Sequence, residues 1–267
     1  MTADVYFIPH GGGPLPLMDD PAHTEITALM RGLEGQVAEC RAIAVVTAHW
    51  ESDAVQLSGG SQPPLLFDYY NFPPETYEYV YPAPGAPDLA REAAGLLAAA
   101  GINAQIDTAR GFDHGTFVPM KLIRPAADIP ILQISLLASL DPDEHVALGR
   151  ALSPLLNQGV SLIGSGLSFH NLGALRGPPR TGTEDEAFDS WLNDTLLGPD
   201  FSDAQRAERL AHWSAAPGAR FCHPREEHLL PVHVCYGAAS AAGLAGGNIF
   251  RDRLMGFMTS GFCWSAN

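Results

Sequence analysis

The sequence predicts an α/β fold: a mostly parallel central sheet with helices on both faces, formed by one domain spanning residues 1–267. Three observations predict it. Short apolar, β-branched runs alternate with stretches of helical periodicity along the whole chain, the pattern of strands joined by helical crossovers. Residues 42–47 (AIAVVT) are apolar throughout, as a strand covered on both faces must be. Histidines also recur just beyond the strands, at the carboxyl edge where open α/β sheets bind ligands.

The elements follow in order. Residues 5–8 read as a buried strand, and Pro9 ends it because it has no N–H to donate. His10 comes next, then Gly11, Gly12, Gly13 and Pro14. The glycines suit either a tight turn or a phosphate cradle, but neither GxGxxG nor GxxxxGK[ST] is present. Residues 22–39 form an amphipathic helix on Ile26, Leu29, Met30, Leu33 and Val37. The strand at 42–47 leads to Ala48, His49 and Trp50, and residues 53–58 form another short strand. Residues 59–87 are rich in proline and aromatics and fit neither a helix nor a central strand. They are expected to pack over the sheet as an irregular excursion. A long loop in a compact domain is often functional, and this one offers Tyr69, Tyr77 and Tyr81 as a pocket wall.

Residues 88–100 are a helix capped by Gly101, and residues 102–106 a strand. A Gly-flanked loop at 110–115 carries His114. Residues 129–136 are a strand, and a helix at 142–157 is begun by Asp141 and Pro142. The strand at 160–165 runs out into GSGLSFHN, which carries His170. Two helices, 183–197 and 202–213, precede HPREEHLLP (223–231), where His228 sits beside Glu226 and Glu227 at the start of an apolar helix that reaches Ala242. A last strand is expected at 254–258.

Composition excludes several function classes. A formal charge of −15 repels phosphate backbones, so nucleic acid is not an expected partner. No apolar run reaches the roughly 18 residues of a membrane helix, so no membrane is expected either. The first residues lack the basic and apolar regions of a signal peptide, and the four cysteines are scattered with no CxxC pair. Both point to a reducing cytoplasm. Hydrophobic residues make up 46% and charged ones 17%, enough for a large core. A homodimer is the base-rate expectation for assembly.

The chemistry is expected from the histidines, of which there are ten against 15 Lys and Arg. Parallel strands all point one way, so His10, His49 and His170 converge on one edge, and His114 fits the same edge. Histidines near strand ends are often only satisfied polar residues; several at equivalent places suggest a metal site. Neutral imidazoles with a carboxylate suit zinc or non-haem iron(II), and open coordination positions make such a site catalytic.

The motifs PHGGGP (9–14), TAHW (47–50), FDYYNFPPETYEYVYPAPG (67–85), GFDHGTFVPM (111–120), GSGLSFHN (164–171) and HPREEHLLP (223–231) together resemble the class III extradiol ring-cleavage dioxygenases, in particular the 4,5-DOPA-dioxygenase-like branch. The resemblance implies an iron(II) enzyme, with Zn(2+) able to occupy the same site, that inserts both atoms of O2 into a catecholic ring and yields a ring-opened semialdehyde. It implies His10, His49 and His228 as metal ligands, His170 as catalytic acid/base, and His114 as a second catalytic histidine that contacts substrate or dioxygen. Many extradiol enzymes use two histidines and a carboxylate. Here the third ligand position matches His228, with Glu227 next to it as the alternative. Tyr69, Tyr77, Tyr81 and Arg225 are expected to contact the substrate, and Arg110 and Asp68 are further candidates to meet charges on its side chain. His223 and His233 are read as structural. Two other readings fit the same residues: a zinc hydrolase using metal-bound water, and a non-catalytic metal- or ligand-binding protein on the same fold.

Overall fold

A computed structural model describes residues 3–177 and 182–266. The strands are β1 (Val5–Pro9), β2 (Ala42–Ser52), β3 (Val55–Ser58), β4 (Ala104–Asp107), β5 (Ile131–Leu137), β6 (Val160–Gly166), β7 (Ala245–Leu254) and β8 (Phe257–Ser265). The α-helices are α1 (Thr24–Gly32), α2 (Glu34–Val37), α3 (Pro87–Ala99), α4 (His114–Ile123), α5 (Pro142–Leu152), α6 (Leu172–Leu175), α7 (Glu184–Leu197), α8 (Asp203–Ala211), α9 (Ala219–Cys222) and α10 (Leu230–Ala242). The strands make one sheet in the order β4-β3-β5-β2-β6-β1-β8-β7. Its centre, β5-β2-β6-β1, is parallel.

Alternation along each central strand sends side chains to two cores. Val5, Phe7, Ala44, Val46 and Leu132 pack with α3, α5, α7 and α10 on one face. Tyr6, Ile8, Ile43, Val45 and Ile163 pack with α1 and α4 on the other. Helices thus cover both faces, as expected. Among the described residues, no helix is long and apolar enough to cross a membrane.

Several elements differ from expectation, each for a local reason. The helix at 22–39 breaks at Leu33, beside Gly32, into α1 and α2. The α-helix begun at Pro142 stops at Leu152 and continues only as a 3₁₀ turn, Ser153–Gln158, because Pro154 cannot extend the ladder. His114 is not in a loop. It is the first residue of α4, whose N-cap Asp113 accepts from the Thr116 amide. Nor does its segment arrive from a parallel strand. β3 is antiparallel to β5, and β4 runs with β3, so β4 ends at the opposite edge of the sheet from the site. The chain returns across the sheet, where Gln133 of β5 accepts from the Asp113 amide and donates to the Gly111 carbonyl. The single strand expected at 254–258 is a β-hairpin. Leu254 pairs with Phe257 across Met255 (φ 52°) and Gly256 (φ 92°), a two-residue turn with both φ positive that suits the strand twist.

Candidate active site

The three strands that carry histidines to the site lie side by side, β2-β6-β1. His10 follows β1 directly, and its amide extends the ladder to the Gly166 carbonyl (3.2 Å). His49 lies within β2 rather than beyond it. The pairing with β5 shifts register between Val46 and Glu51, and this irregularity re-aims the strand where His49 sits. Beyond β6, the Leu167 amide donates to the His228 carbonyl (2.9 Å) and the His170 amide to the Cys222 carbonyl (3.0 Å). These bonds staple the two segments, and the His170 and His228 rings stack with centroids 3.5 Å apart.

Gly11 (φ +82°) explains the glycine-rich loop. A side chain there would meet Pro16 at 2.6 Å and His23 at 2.8 Å. The Gly12 amide donates to His23 Nε2 (3.1 Å), so the loop folds onto a histidine rather than opening around a phosphate.

Four of the five imidazoles, those of His10, His114, His170 and His228, have a partner at Nδ1. His10 Nδ1 lies 3.0 Å from Ser165 Oγ. Ser165 spends its own hydrogen on the Gly115 carbonyl. That carbonyl is available because residue 119, four positions on, is a proline without an N–H. Ser165 Oγ therefore accepts from His10 Nδ1–H, which leaves the His10 Nε2 lone pair facing the cavity. His114 Nδ1 donates to Asp68 Oδ1 (2.7 Å), which also takes the His114 amide. Asp68 Oδ2 lies 3.9 Å from His49 Nδ1. Glu227 Oε1 faces two rings, His228 Nδ1 at 2.9 Å and His170 Nδ1 at 3.2 Å.

Electrostatics keep His10, His49 and His228 neutral, the form that binds metal. Burial first, then the neighbouring imidazoles, holds His10 and His49 well below the ordinary histidine range. Burial brings His228 down to about 4 against the opposing pull of Glu227. Glu227 itself is held well below the carboxylate range: burial works to raise it, but the bonds from His170 and His228 outweigh that. Asp68 is lowered in the same way, burial being outweighed by His114.

The donor set fits a metal ion. His10 and His49 bring their Nε2 atoms to 3.1 Å of each other. Two lone pairs at that distance require a proton or a cation between them. His10, His49 and His114 form one group whose ligand atoms lie within 4.8 Å of one another; His170, Glu227 and His228 form a second. Thus the partner that meets this spacing with His10 and His49 is His114, while His228 falls in the adjoining group. The ring centroids add a second measure. His10, His49 and His228 are almost evenly spaced, at 4.9, 4.9 and 5.2 Å. With His114 in place of His228 the distances are 4.9, 3.9 and 5.7 Å.

All five histidines line one cavity of about 480 Å³, with Gly11, Gly12, Gly13, Asp68 and Tyr69. Three expected substrate contacts lie outside it. The Tyr81 hydroxyl donates to the Arg124 carbonyl from within the core. Tyr77 packs behind Tyr69, its hydroxyl 3.4 Å from the Tyr69 carbonyl. Arg225 is clamped on Glu51 (2.5 and 2.6 Å), with Glu227 Oε2 3.4 Å away. Arg110 stacks over Trp50 and donates to the His49 carbonyl and to Asp113. His223 donates to the Ser168 carbonyl and His233 to the Leu210 carbonyl, and both are buried outside the cavity lining. Ser165 and Arg176 are functional candidates the sequence does not single out: Ser165 lies inside GSGLSFHN, where only His170 stands out, and Arg176 lies outside every motif. The hairpin turn at Met255, which also lines the cavity, was hidden inside an expected strand.

Fold and site together define a metal-dependent enzyme cleft at the carboxyl edge of an open α/β sheet. Comparison with known proteins then gives the family. The family described as the catalytic LigB subunit of aromatic ring-opening dioxygenase matches residues 4–262. A dioxygenase of Hapsidospora irregularis, tasH, is 43% identical over 89% of this chain and 78% of its own length. A 4,5-DOPA dioxygenase extradiol of Mirabilis jalapa is 36% identical, covering 88% of this chain and 86% of that protein. The crystal structure of an uncharacterized protein from Escherichia coli K12 superposes with a TM-score of 0.76 at 26% identity, covering 98% of this chain and 99% of the other. The chain belongs to the LigB family of class III extradiol dioxygenases, enzymes that cleave aromatic rings.

Proposed function

We propose that the chain, folded as one domain over residues 1–267, is an iron(II)-dependent extradiol dioxygenase that opens a substituted catechol to a semialdehyde. The observation that carries this reading is the set of imidazoles, four of them held by Nδ1, around an aromatic-walled cavity, with Nε2 of His10 and His49 facing each other. Relatives named 4,5-DOPA dioxygenase extradiol support a catecholic substrate. We assign His10, His49 and His228 as the ligands, because their rings are evenly spaced about a common centre. Iron(II) held by these three imidazoles would supply a Lewis acid that binds catechol and dioxygen and eases loss of the hydroxyl protons. Free cysteines at all four positions suit the reducing cytoplasm in which we place the enzyme.

The protein's own residues do the proton work. His170 accepts a hydroxyl proton at Nε2, and Glu227 at Nδ1 stabilises the imidazolium that results. The proton is then available to the departing oxygen. His114, whose Nδ1 is held by Asp68, lines the same cavity and contacts substrate or dioxygen. Tyr69 and the Gly11–Gly13 loop seat the flat ring and exclude water.

The test is anaerobic loading with iron(II) or zinc, then addition of catechols and air. Iron-dependent oxygen uptake with a coloured product is expected. Turnover with zinc and without oxygen uptake would instead establish a hydrolase. Metal content sorts the roles. His10→Ala and His228→Ala should lose metal, whereas His170→Ala and His114→Ala should keep it and lose turnover. Metal lost from His114→Ala but retained in His228→Ala would reverse the assignment of the third ligand.

A further inference from the structure

Away from the histidines the cavity wall turns apolar and then cationic. Tyr70, Leu172, Leu175 and Met255 line it, with Arg176 beside them as the residue that ends α6. Tyr70, Leu172 and Met255 are 78%, 49% and 37% exposed, large apolar groups left in water around one opening. Apolar surface gathered at the mouth of a cleft marks contact with a ligand. At about 480 Å³ the cavity falls in the range that holds a drug-sized molecule, so a ring seated at the histidines leaves wall for a substituent.

Charge says what that substituent carries. Histidines aside, the charged residues lining the cavity among the described residues are Asp68 and Arg176. Asp68 Oδ1 is bonded to the His114 ring and amide, and its Oδ2 lies 3.9 Å from His49 Nδ1, so this carboxylate sits against the rings. Arg176 is exposed and has no ion pair among the described residues. In a chain of net charge −15, a cation at this mouth runs against the average of the surface. Apart from Asp68, no carboxylate among the described residues lines the cavity to meet an ammonium.

We propose that Arg176 selects the substrate: a catechol whose apolar side chain crosses Leu172, Leu175 and Met255 and ends in a carboxylate, with no amine. This rests on the ring-cleavage reading, which supplies the catechol. Arg176 presents planar donors suited to a carboxylate, and the apolar wall beside it lowers the competition from water.

The test uses the iron-loaded full-length protein and three probes: 3-(3,4-dihydroxyphenyl)propionate, its methyl ester, and dopamine. Anaerobic calorimetry reads binding, and oxygen uptake reads KM and kcat. The acid should bind about tenfold more tightly than the ester, the worth of one charge-assisted hydrogen bond, and dopamine should bind most weakly. In Arg176→Gln the acid-to-ester ratio should fall to about one, through KM and not kcat, while ester binding reports an intact cavity. Arg176→Glu should place dopamine ahead of the acid. A wild-type protein that does not favour the acid, or an Arg176→Gln variant that keeps the preference, overturns the proposal. Acid-selective binding lost in Arg176→Gln, but without oxygen uptake from any probe, would support Arg176 and refute ring cleavage.

Discussion

A histidine can present a lone pair toward a metal only if something else holds its other nitrogen. At His10 that holder is Ser165, oriented in turn by a carbonyl that Pro119 leaves unpaired within α4. Ser165→Ala should weaken metal binding about tenfold or more, the usual effect of removing an outer partner of a ligand. Competition against a chelator checks this; unchanged affinity would show that Ser165 does not orient the ring. Glu227 matters more, because one carboxylate oxygen serves both His170 and His228. Glu227→Gln keeps the size but removes the charge, and should lower both metal affinity and turnover, each by about tenfold to a hundredfold. Arg225→Gln should do far less: the arginine is 53% exposed, and exposed ion pairs contribute little. If the two variants behave alike, the clamp from Glu51 through Arg225 is what positions Glu227.

At the scale of elements, α10 lies against α5 on two glycines. A side chain on Gly237 would meet the Val146 carbonyl at 2.1 Å, and one on Gly149 the Val234 carbonyl at 2.0 Å. Backbone cannot yield as a flexible side chain does, so Gly237→Ala should cost about 1–3 kcal/mol by overpacking, seen as a lower urea midpoint. An unchanged midpoint would mean that the helices separate freely. This contact supports the site, because α10 begins two residues after His228. Elements such as β1 and β6 were legible because continuous apolar runs end in Pro9 or in small residues. α4 was not, because Gly115 and Pro119 argue against a helix that tertiary bonds enforce: the Asp113 cap, and Ser165 on the freed carbonyl. The closing hairpin was misread because Leu254, Phe257 and Met258 are apolar on both sides of its turn, and Met-Gly is not a familiar turn pair.

Across the whole molecule, the sequence revealed which histidines would meet but not the roles that depend on distant partners. His10, His49, His114, His170 and His228 share one cavity; the parallel edge implies this for His10, His49 and His170, whereas His114 reaches it at the start of α4 and His228 just before α10. Arg225 and Tyr81 looked equally eligible from the sequence, yet pairing with Glu51 and burial against Arg124 carry them elsewhere. Burial also sets how the fold responds to acid. His233 sits wholly buried between α10 and α8, its Nε2 3.1 Å from the Leu210 carbonyl, and burial lowers it from 6.5 to about 4. In the unfolded chain it titrates near 6.5. Between these values the unfolded state binds the extra proton, so stability rises with pH across that window and is lost as pH falls from about 6.5 toward about 4. The full loss from this one residue is about 3 kcal/mol. Metal-free protein should be unfolded in urea at steps from about pH 7 to about pH 4.5, so that metal release does not add to the slope. His233→Gln keeps a donor for the Leu210 carbonyl and cannot titrate. Its stability should therefore fall less steeply with acid than that of the unsubstituted chain, and parallel slopes would show that His233 is not a source of the acid sensitivity.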